Sequence, residues 1–318
     1  MTTIKIIEGM VTALSSISHI GETHSITSML RREKIVYNEQ IEEIPIYSGN
    51  ALRGILRDVF MADMLKRIGF GPNKGIPLDI FFFLFSGGSL TKSSDAINIE
   101  KARKLRKTIP LVSLFGGSAG DIILPGKMDI GKLYPICEET KDYIPQRYTE
   151  KKLHSIWELI QQEAYTRRDD SKNDIKRMFL DEDSVIKLEQ KDTQKSSKQT
   201  SGTNDKAVSA NEQKQQMRYF VETFIPGTKF FIWFILKDTT AVEFEAFMTG
   251  LGAFYQNSVI GGKGNVGHGK IKIELDNWQE FGNTQQEQTG KVFKQEYFEH
   301  LEYLKNNQNL ITELSNEL

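Results

Sequence analysis

The segment from Gln190 to Gln216 places the strongest constraint on how this chain can fold. It is almost entirely hydrophilic, and Ala207, Val208 and Ala210 are its only aliphatic residues. A segment of this composition cannot bury a core. Apolar, strand-like sequence resumes directly after it, at Met217. We therefore interpret the segment as an insertion into one discontinuous domain rather than as a linker between two domains.

The composition of the whole chain excludes disorder, fibrous repeats and a polycationic protein. The chain has 318 residues, of which 39% are hydrophobic and 26% are charged, enough for a substantial buried core. Its 41 basic and 42 acidic residues give a net charge of −1, so any binding of nucleic acid depends on local charge. The segment from Ser48 to Pro110 supplies such a local excess, with 11 basic and 5 acidic residues.

Cysteine content and hydropathy favour a soluble protein of the cytoplasm. Cys137 is the only cysteine, so no intrachain disulfide is expected, and no group of Cys and His residues has zinc-ligand spacing. The first residues lack the basic and apolar regions of a signal peptide. The apolar stretch from Ile76 to Phe85 is too short to cross a bilayer. We expect no membrane partner.

The periodicity of apolar residues predicts a mixture of strands and helices. Strands are expected over residues 4–14 and 270–275 and from residue 217 onward, with a β-ribbon over residues 29–47. Helices are expected over 48–68, 149–165 and 239–254, and from about residue 291. Residues 15–27 are expected to form a polar loop, and the aromatic segment 69–90 to plug into the core.

Two groups of basic residues are candidates for phosphate binding. Arg31 and Arg32 lie in a dense basic patch of the ribbon, for which the alternative is a solvated face. Arg53 and Arg57 lie four residues apart on the predicted helix, close to its N-terminus, where free backbone N–H groups favour an anion. The alternative for this second pair is a surface of salt bridges with neighbouring aspartates.

A glycine-rich loop, GGKGNVGHGK from Gly261 to Lys270, is the next candidate. It contains the G-x-x-x-x-G-K spacing of a phosphate-binding loop, but Ile271 follows where Ser or Thr would hold magnesium, and strand-like sequence follows where a helix would be needed. We therefore exclude nucleotide hydrolysis. The remaining interpretation is a loop whose backbone approaches a sugar-phosphate chain closely, with the alternative of a turn that only packs a helix against a strand. Its polar side chains are Lys263, Asn265, His268 and Lys270.

A metal site has little support in the sequence. Asp169 and Asp170 are adjacent carboxylates, but neighbouring residues of a strand point to opposite faces, and Arg167 and Arg168 neutralise them. We expect neither a metal nor another cofactor.

Three segments together resemble a known family. They are His19-Ile20-Gly21 after the first strand, IPIYSGNALRGILR from Ile44 to Arg57, and the loop from Gly261 to Lys270. Their order and separation are similar to those of the repeat-associated RNA-binding (RAMP) superfamily of CRISPR systems, although Tyr47 and Asn50 replace more usual residues. Within it, the chain looks most like the backbone subunit of type IV complexes, and next like that of type I-D complexes.

The resemblance implies an α+β fold with an RRM-like (ferredoxin-like) palm and an inserted thumb. The palm would comprise residues 1–166 and 217–275, the thumb residues 167–216 with the hydrophilic run as its tip, and a C-terminal helical extension residues 276–318. It also implies a subunit that oligomerises along a guide RNA (crRNA) and presents it to a complementary target nucleic acid, together with other CRISPR effector subunits.

The RNA-binding residues that we predict combine the basic groups, the motif residues and a thumb wedge. Met178 and Phe179 would form the wedge between bases, with ordinary core packing as the alternative. The full set is His19, Arg31, Arg32, Asn50, Arg53, Arg57, Arg167, Arg168, Met178, Phe179, Lys263, Asn265, His268 and Lys270.

Catalysis is the main alternative to a binding role. Some RAMP proteins are endoribonucleases with a histidine as general base, and His19 and His24 are the candidates here. Related subunits that cleave target RNA use an aspartate in the early loop, whereas residues 15–40 contain none. We therefore expect binding without catalysis. A binding module for a protein or a small ligand remains a third class, because a ferredoxin-like core serves many purposes.

Overall fold

The computed structural model describes residues 3–88, 99–119, 122–167, 217–276 and 295–314. Its central sheet is built from β1 (Ile4–Ala13), β8 (Met128–Ile130), β12 (Lys229–Lys237) and β13 (Ile271–Leu275), in the order β13-β1-β12-β8. The pairs β1–β12, β1–β13 and β12–β8 are all antiparallel. The short strand β9 (Tyr134–Pro135) also pairs with β12. Burial alternates along β1, so that Ile7, Val11 and Ala13 face the core.

Two helices cover the inner face of this sheet. They are α1 (Gly49–Arg67), between β1 and β8, and α5 (Ala241–Gln256), between β12 and β13. They pack closely, because a Cβ at Gly250 of α5 would lie 2.3 Å from the Phe60 ring of α1. The order β-α-β-β-α-β with sheet order 4-1-3-2 is that of a ferredoxin-like, or RRM-like, core. The predicted fold class is confirmed.

Local sequence signals explain where both helices begin. Ser48 caps α1, since its Oγ accepts a hydrogen bond from Ala51 N at 3.3 Å. Thr240 and Glu243 form a capping box at α5, with hydrogen bonds of 2.8 and 3.2 Å between each side chain and the other's backbone N–H. The predicted boundaries of these helices are therefore confirmed to within about two residues.

A second sheet stands beside the core and contains β10 (Ile160–Arg167), β11 (Met217–Phe224), β3 (Thr27–Leu30) and β2 (Ile20–His24), in that order. It corrects two predictions. Residues 15–27 are not only loop, because β2 lies there and β3 begins there. Residues 149–165 are not a helix: a single 3-10 turn, Ile156–Glu158, leads into β10. Trp157, an apolar residue of the predicted helix, is 49% exposed, and eight residues of β10 pair with β11. Pairing between strands thus overrides the local helical pattern.

The remaining elements enclose the core. The predicted ribbon is confirmed as the hairpin of β4 (Arg32–Tyr37) and β5 (Gln40–Pro45). Between α1 and β8 lie α2 (Leu78–Phe81), a π-helical turn (Phe82–Ser86), α3 (Ile99–Thr108), α4 (Pro110–Phe115), β6 (Gly117–Ala119) and β7 (Ile122–Leu124). Further 3-10 turns are Glu138–Tyr143, Gln146–Tyr148 and Gly264–Val266. The last elements that the structure describes are α6 (Gln295–Asn306) and α7 (Asn309–Glu313).

The aromatic segment 69–90 enters the core only in part. Phe83 and Leu84 are buried, whereas Phe81 and Phe82 are 44% and 49% exposed. The prediction that the whole FFFLF run plugs into the core is therefore wrong for its first two residues. Across the parts of the chain that the structure describes, no helix is both long and apolar enough to span a membrane.

Candidate nucleic-acid interface

The three segments that carry the resemblance meet at one place, although the first and last are more than 200 positions apart in sequence. Ser18 O accepts a hydrogen bond from Gly262 N at 3.0 Å, and Ser18 Oγ donates to Gly262 O at 2.9 Å. The Tyr47 hydroxyl accepts from Gly261 N at 2.9 Å. Gly261 has a φ of +79°, and a Cβ there would lie 2.3 Å from Ser18 O, so only glycine fits this contact.

His19 lies at the centre of this junction. Its Nε2 is 3.1 Å from Ser48 Oγ, and its ring centroid is 4.4 Å from that of Tyr47. Arg31 is held beside it, since Arg31 N donates to His19 O at 2.7 Å. Burial, together with the positive charge of Arg31, lowers the pKa of His19. The imidazole is therefore neutral at neutral pH and fixed by the residue that caps α1.

The N-terminus of α1 makes the junction electropositive. No acidic residue lies in its first turn, and Asn50 is exposed there. The first N–H groups of a helix have no intrahelical partner, and the helix dipole places partial positive charge on them. The exposed side chain of Arg31 adds a full charge on the neighbouring segment. This combination suits a phosphate group.

Arg53 and Arg57 are not part of this open surface, which corrects their predicted placement. Arg57 is only 8% exposed and donates to the carbonyl oxygens of Phe115 (3.0 Å) and Gly116. Arg53 donates to Met128 O at 3.0 Å and also to Phe115 O. The carbonyls of Phe115 and Gly116 close the C-terminus of α4, where a cation is favoured. Both guanidinium groups therefore stabilise the fold instead of lying free for a ligand.

Burial explains the electrostatics of Arg57. Desolvation, reinforced by the charge of Arg53 and opposed by Asp58, lowers the pKa of Arg57 to about 10. The guanidinium therefore keeps its charge at neutral pH, and this charge strengthens its hydrogen bonds to α4.

The glycine loop continues the interface away from α1. Its predicted context is confirmed, because β13 follows it and not a helix. Asn265 and Lys270 are exposed, whereas His268 is only 6% exposed. Lys263 adopts the left-handed conformation with φ +60°, which is uncommon for a residue other than glycine.

The loop packs on the β10–β11 pair, where it contacts Glu163, Tyr165 and Tyr219, three residues that the sequence analysis did not identify. His268 Nε2 lies 3.1 Å from Glu163 Oε2, and the Tyr165 hydroxyl donates to the same carboxylate at 2.8 Å. Lys263 Nζ lies 4.3 Å from the ring centroid of Tyr165 and 4.9 Å from that of Tyr219. Tyr165 was missed because it falls in the segment predicted as a helix, where its strand face could not be inferred.

Glu163 is held ionised in this cluster. Burial opposes its charge, but hydrogen bonds from Ser16 and Tyr165 and the nearby His268 outweigh this effect and lower the pKa of Glu163 to about 2. His268 is thus placed as a buried structural partner of a carboxylate. At 6% exposure it presents little surface to a ligand, and its predicted RNA contact stays a prediction.

The other predicted residues are distributed as follows. Arg32 forms an ion pair with Glu222, with 2.8 Å between Nη2 and Oε1, and its Cζ lies 5.5 Å from the ring centroid of Trp157. Arg167 is the last residue of β10. Arg168, Met178 and Phe179 lie outside the described residues, as do Asp169 and Asp170.

The outer face of the central sheet, opposite the helices, is partly covered by the chain itself. Phe231 and Trp233 of β12 lie in a small apolar cluster with Ile136, Ile144 and Tyr148. Aromatic residues on the central strands therefore serve packing here. The open polar surface instead lies at the N-terminus of α1 and along the glycine loop.

Within the described ranges, no group of three or more His, Cys, Asp or Glu side chains could hold a metal ion. The fold and the junction thus define an RRM-like α+β protein with an electropositive loop-and-helix interface. No protein-family model matches the chain. No curated protein matches it either.

Solved structures do match. One chain of a structure titled "Type IV-B CRISPR Complex" superposes with a TM-score of 0.58 and 21% sequence identity. The alignment covers 91% of this chain and 97% of that one. The two chains therefore share a fold over almost their whole length.

Proposed function

We propose that this protein is a crRNA-binding backbone subunit of a class 1 CRISPR effector complex, of type IV or a related type. It oligomerises along the guide RNA, associates with other effector subunits and presents the guide to a complementary target without catalysing a reaction. The observation that carries the proposal is the junction of Ser18, Tyr47 and Gly261, which joins the three motif segments in an RRM-like core. The similarity in fold to a chain of a type IV-B CRISPR complex supports it.

The interface chemistry supports RNA binding through phosphates. The N-terminus of α1, Arg31 and Lys270 offer positive charge to the RNA backbone. The side-chain amides of Asn50 and Asn265 can both donate and accept hydrogen bonds. Contacts of this kind position a strand without reading its sequence. A subunit that carries any guide needs binding of this type.

The experiment that tests the proposal measures affinity for unrelated single-stranded RNAs at several salt concentrations. We expect similar dissociation constants for all sequences and a steep loss of affinity as salt increases, because each phosphate contact releases a counterion. RNA that copurifies with the protein, removable by nuclease, would agree with this. A strong preference for one sequence, or no binding at low salt, would contradict the proposal.

Ribonuclease activity is the second candidate. The observation that favours it is the neutral imidazole of His19 next to the N-terminus of α1. A general base needs a free nitrogen facing the 2′-hydroxyl. Here Nε2 is already hydrogen-bonded to Ser48, which caps α1. We therefore favour a structural role for His19. Labelled guide precursor and complementary RNA, incubated with and without magnesium, should both remain intact; specific products lost in His19→Ala would establish the alternative.

A further inference from the structure

Two tyrosines on neighbouring strands lie next to each other near the end of the described β10–β11 pair. Tyr165 and Tyr219 are direct partners in the antiparallel register, so that they lie on the same face. Their ring centroids are 5.4 Å apart with an angle of 21° between the planes. Both side chains are partly exposed. A part-exposed pair of nearly parallel rings is the kind of surface on which a nucleobase stacks.

Hydrogen bonds hold both tyrosine side chains in place. The Tyr165 hydroxyl donates to Glu163, and the Tyr219 hydroxyl accepts from Lys263 Nζ at 3.3 Å. His268 Nε2 lies 3.1 Å from the Glu163 carboxylate. The pair is therefore fixed in place, and stacking on it would tolerate any base because every base has a π-face.

Lys263 supplies the charge that a nucleotide needs next to such a surface. Its ammonium group lies over both rings, within 5 Å of each centroid. A cation over part-exposed rings is weakly held and can exchange this contact for a charge-assisted hydrogen bond to a phosphate. Lys263 also has a left-handed backbone conformation, and strain of this type is found where a loop contacts ligands.

The location is continuous with the proposed interface. Lys263 directly follows Gly262, which is hydrogen-bonded to Ser18 at the junction of the three segments. A strand bound along the glycine loop would therefore lie next to the two tyrosines.

We propose that Tyr165, Tyr219 and Lys263 form a nucleotide subsite in which one base of a single-stranded RNA stacks on the two rings and Lys263 binds the adjoining phosphate. The subsite rests on the proposed function, because it deepens RNA binding by this interface. It adds a stacking contact at the root of the β10–β11 pair, independent of base identity.

The test uses the full-length protein and a uridine oligonucleotide that carries 5-iodouridine. Irradiation should crosslink the RNA to peptides that contain Tyr165 or Tyr219, since the reactive base lies against the rings. Crosslinks found only in other peptides would overturn the subsite. This measurement needs no variant and is independent of any effect on folding.

Matched variants give the energetic test. Tyr219→Leu removes the ring, and we expect affinity for the unmodified oligonucleotide to fall about tenfold. Tyr219→Phe keeps the ring and loses only the hydroxyl, so its affinity should stay within about twofold of wild type. The same substitutions at Tyr165 provide a repeat, and Lys263→Gln should reduce the dependence of binding on salt.

An abasic oligonucleotide of equal length separates stacking from a general disturbance. Wild type should bind it more weakly than the oligonucleotide with bases, and this difference should shrink in Tyr219→Leu. If the folded Leu variant binds as wild type does, or if the Leu and Phe variants lose affinity equally, the subsite is wrong although RNA binding stands. If wild-type protein binds neither oligonucleotide, the proposed function fails as well.

Discussion

Replacing Arg57 by methionine should destabilise the protein without changing how the native molecule binds RNA. Methionine keeps most of the buried apolar stem but removes the guanidinium. Gly116 O then loses its donor, while Phe115 O keeps the hydrogen bond from Arg53. A buried acceptor without a partner costs about 1–3 kcal/mol, and a hydrogen bond to a charged group contributes about 1.5–3 kcal/mol. The substitution also removes the cost of burying a charge, which offsets part of this loss. We therefore expect the free energy of unfolding to fall by roughly 2–4 kcal/mol.

Denaturant unfolding of wild type, Arg57→Met and Arg31→Met measures this loss. Arg31 is the matched control because the same substitution is made at an exposed side chain, so its stability should change by less than about 0.5 kcal/mol. The thermal midpoint of Arg57→Met should fall by roughly 5–10 °C. The reasoning is refuted if Arg57→Met is as stable as wild type and instead shows weaker, less salt-dependent RNA binding, since Arg57 would then be a phosphate contact.

Three further predictions follow from the interface and the hydrophilic run. Arg31→Met should weaken RNA binding and reduce the slope of log affinity against log salt by about 1, which filter binding measures; an unchanged slope would contradict the phosphate contact. Because the folded pKa of His19 lies below its unfolded value of about 6.5, its neutral form stabilises the protein above that pH, and this contribution is lost as pH falls through the folded pKa. Between about pH 7 and 5, the free energy of unfolding of His19→Asn should therefore decrease less than that of wild type. Parallel curves of unfolding free energy against pH would disprove the linkage. Replacing Gln190 to Gln216 by a short Gly/Ser linker should leave the melting temperature of the monomer within a few degrees of wild type and weaken assembly, as scanning calorimetry and sedimentation can show; a large loss of stability would place the segment in the core.

The individual helices and strands of the core were predicted well because their signals are local, whereas their ferredoxin-like arrangement was implied by the resemblance. The start of α1 is marked by Ser48, that of α5 by Thr240 with Glu243, and β1 by its alternation. These features depend on short-range chemistry that the fold does not override.

The side-chain surroundings of the site were less predictable. The spacing of Arg53 and Arg57 predicted that both lie on the surface. Instead, both donate hydrogen bonds to carbonyl oxygens at the C-terminus of α4, a helix that the periodicity did not predict. Tyr165 was hidden because β10 exists only through its pairing with β11. Contacts between distant segments decide both cases, and a single sequence carries no direct record of such contacts.

Main-chain hydrogen bonds join the segment Ser16–Ser18 to the glycine loop. Gly262 N donates to Ser18 O, and Gly269 N donates to Ser16 O at 2.8 Å. Every residue type except proline supplies these groups. The shape of the junction can therefore persist while most of its side chains are exchanged over evolutionary time, provided that glycine is kept where a Cβ would strike a carbonyl, as at Gly261 and Gly269. Distant relatives of this chain should accordingly be easier to find by the spacing of those two glycines, combined with the fold, than by overall sequence identity.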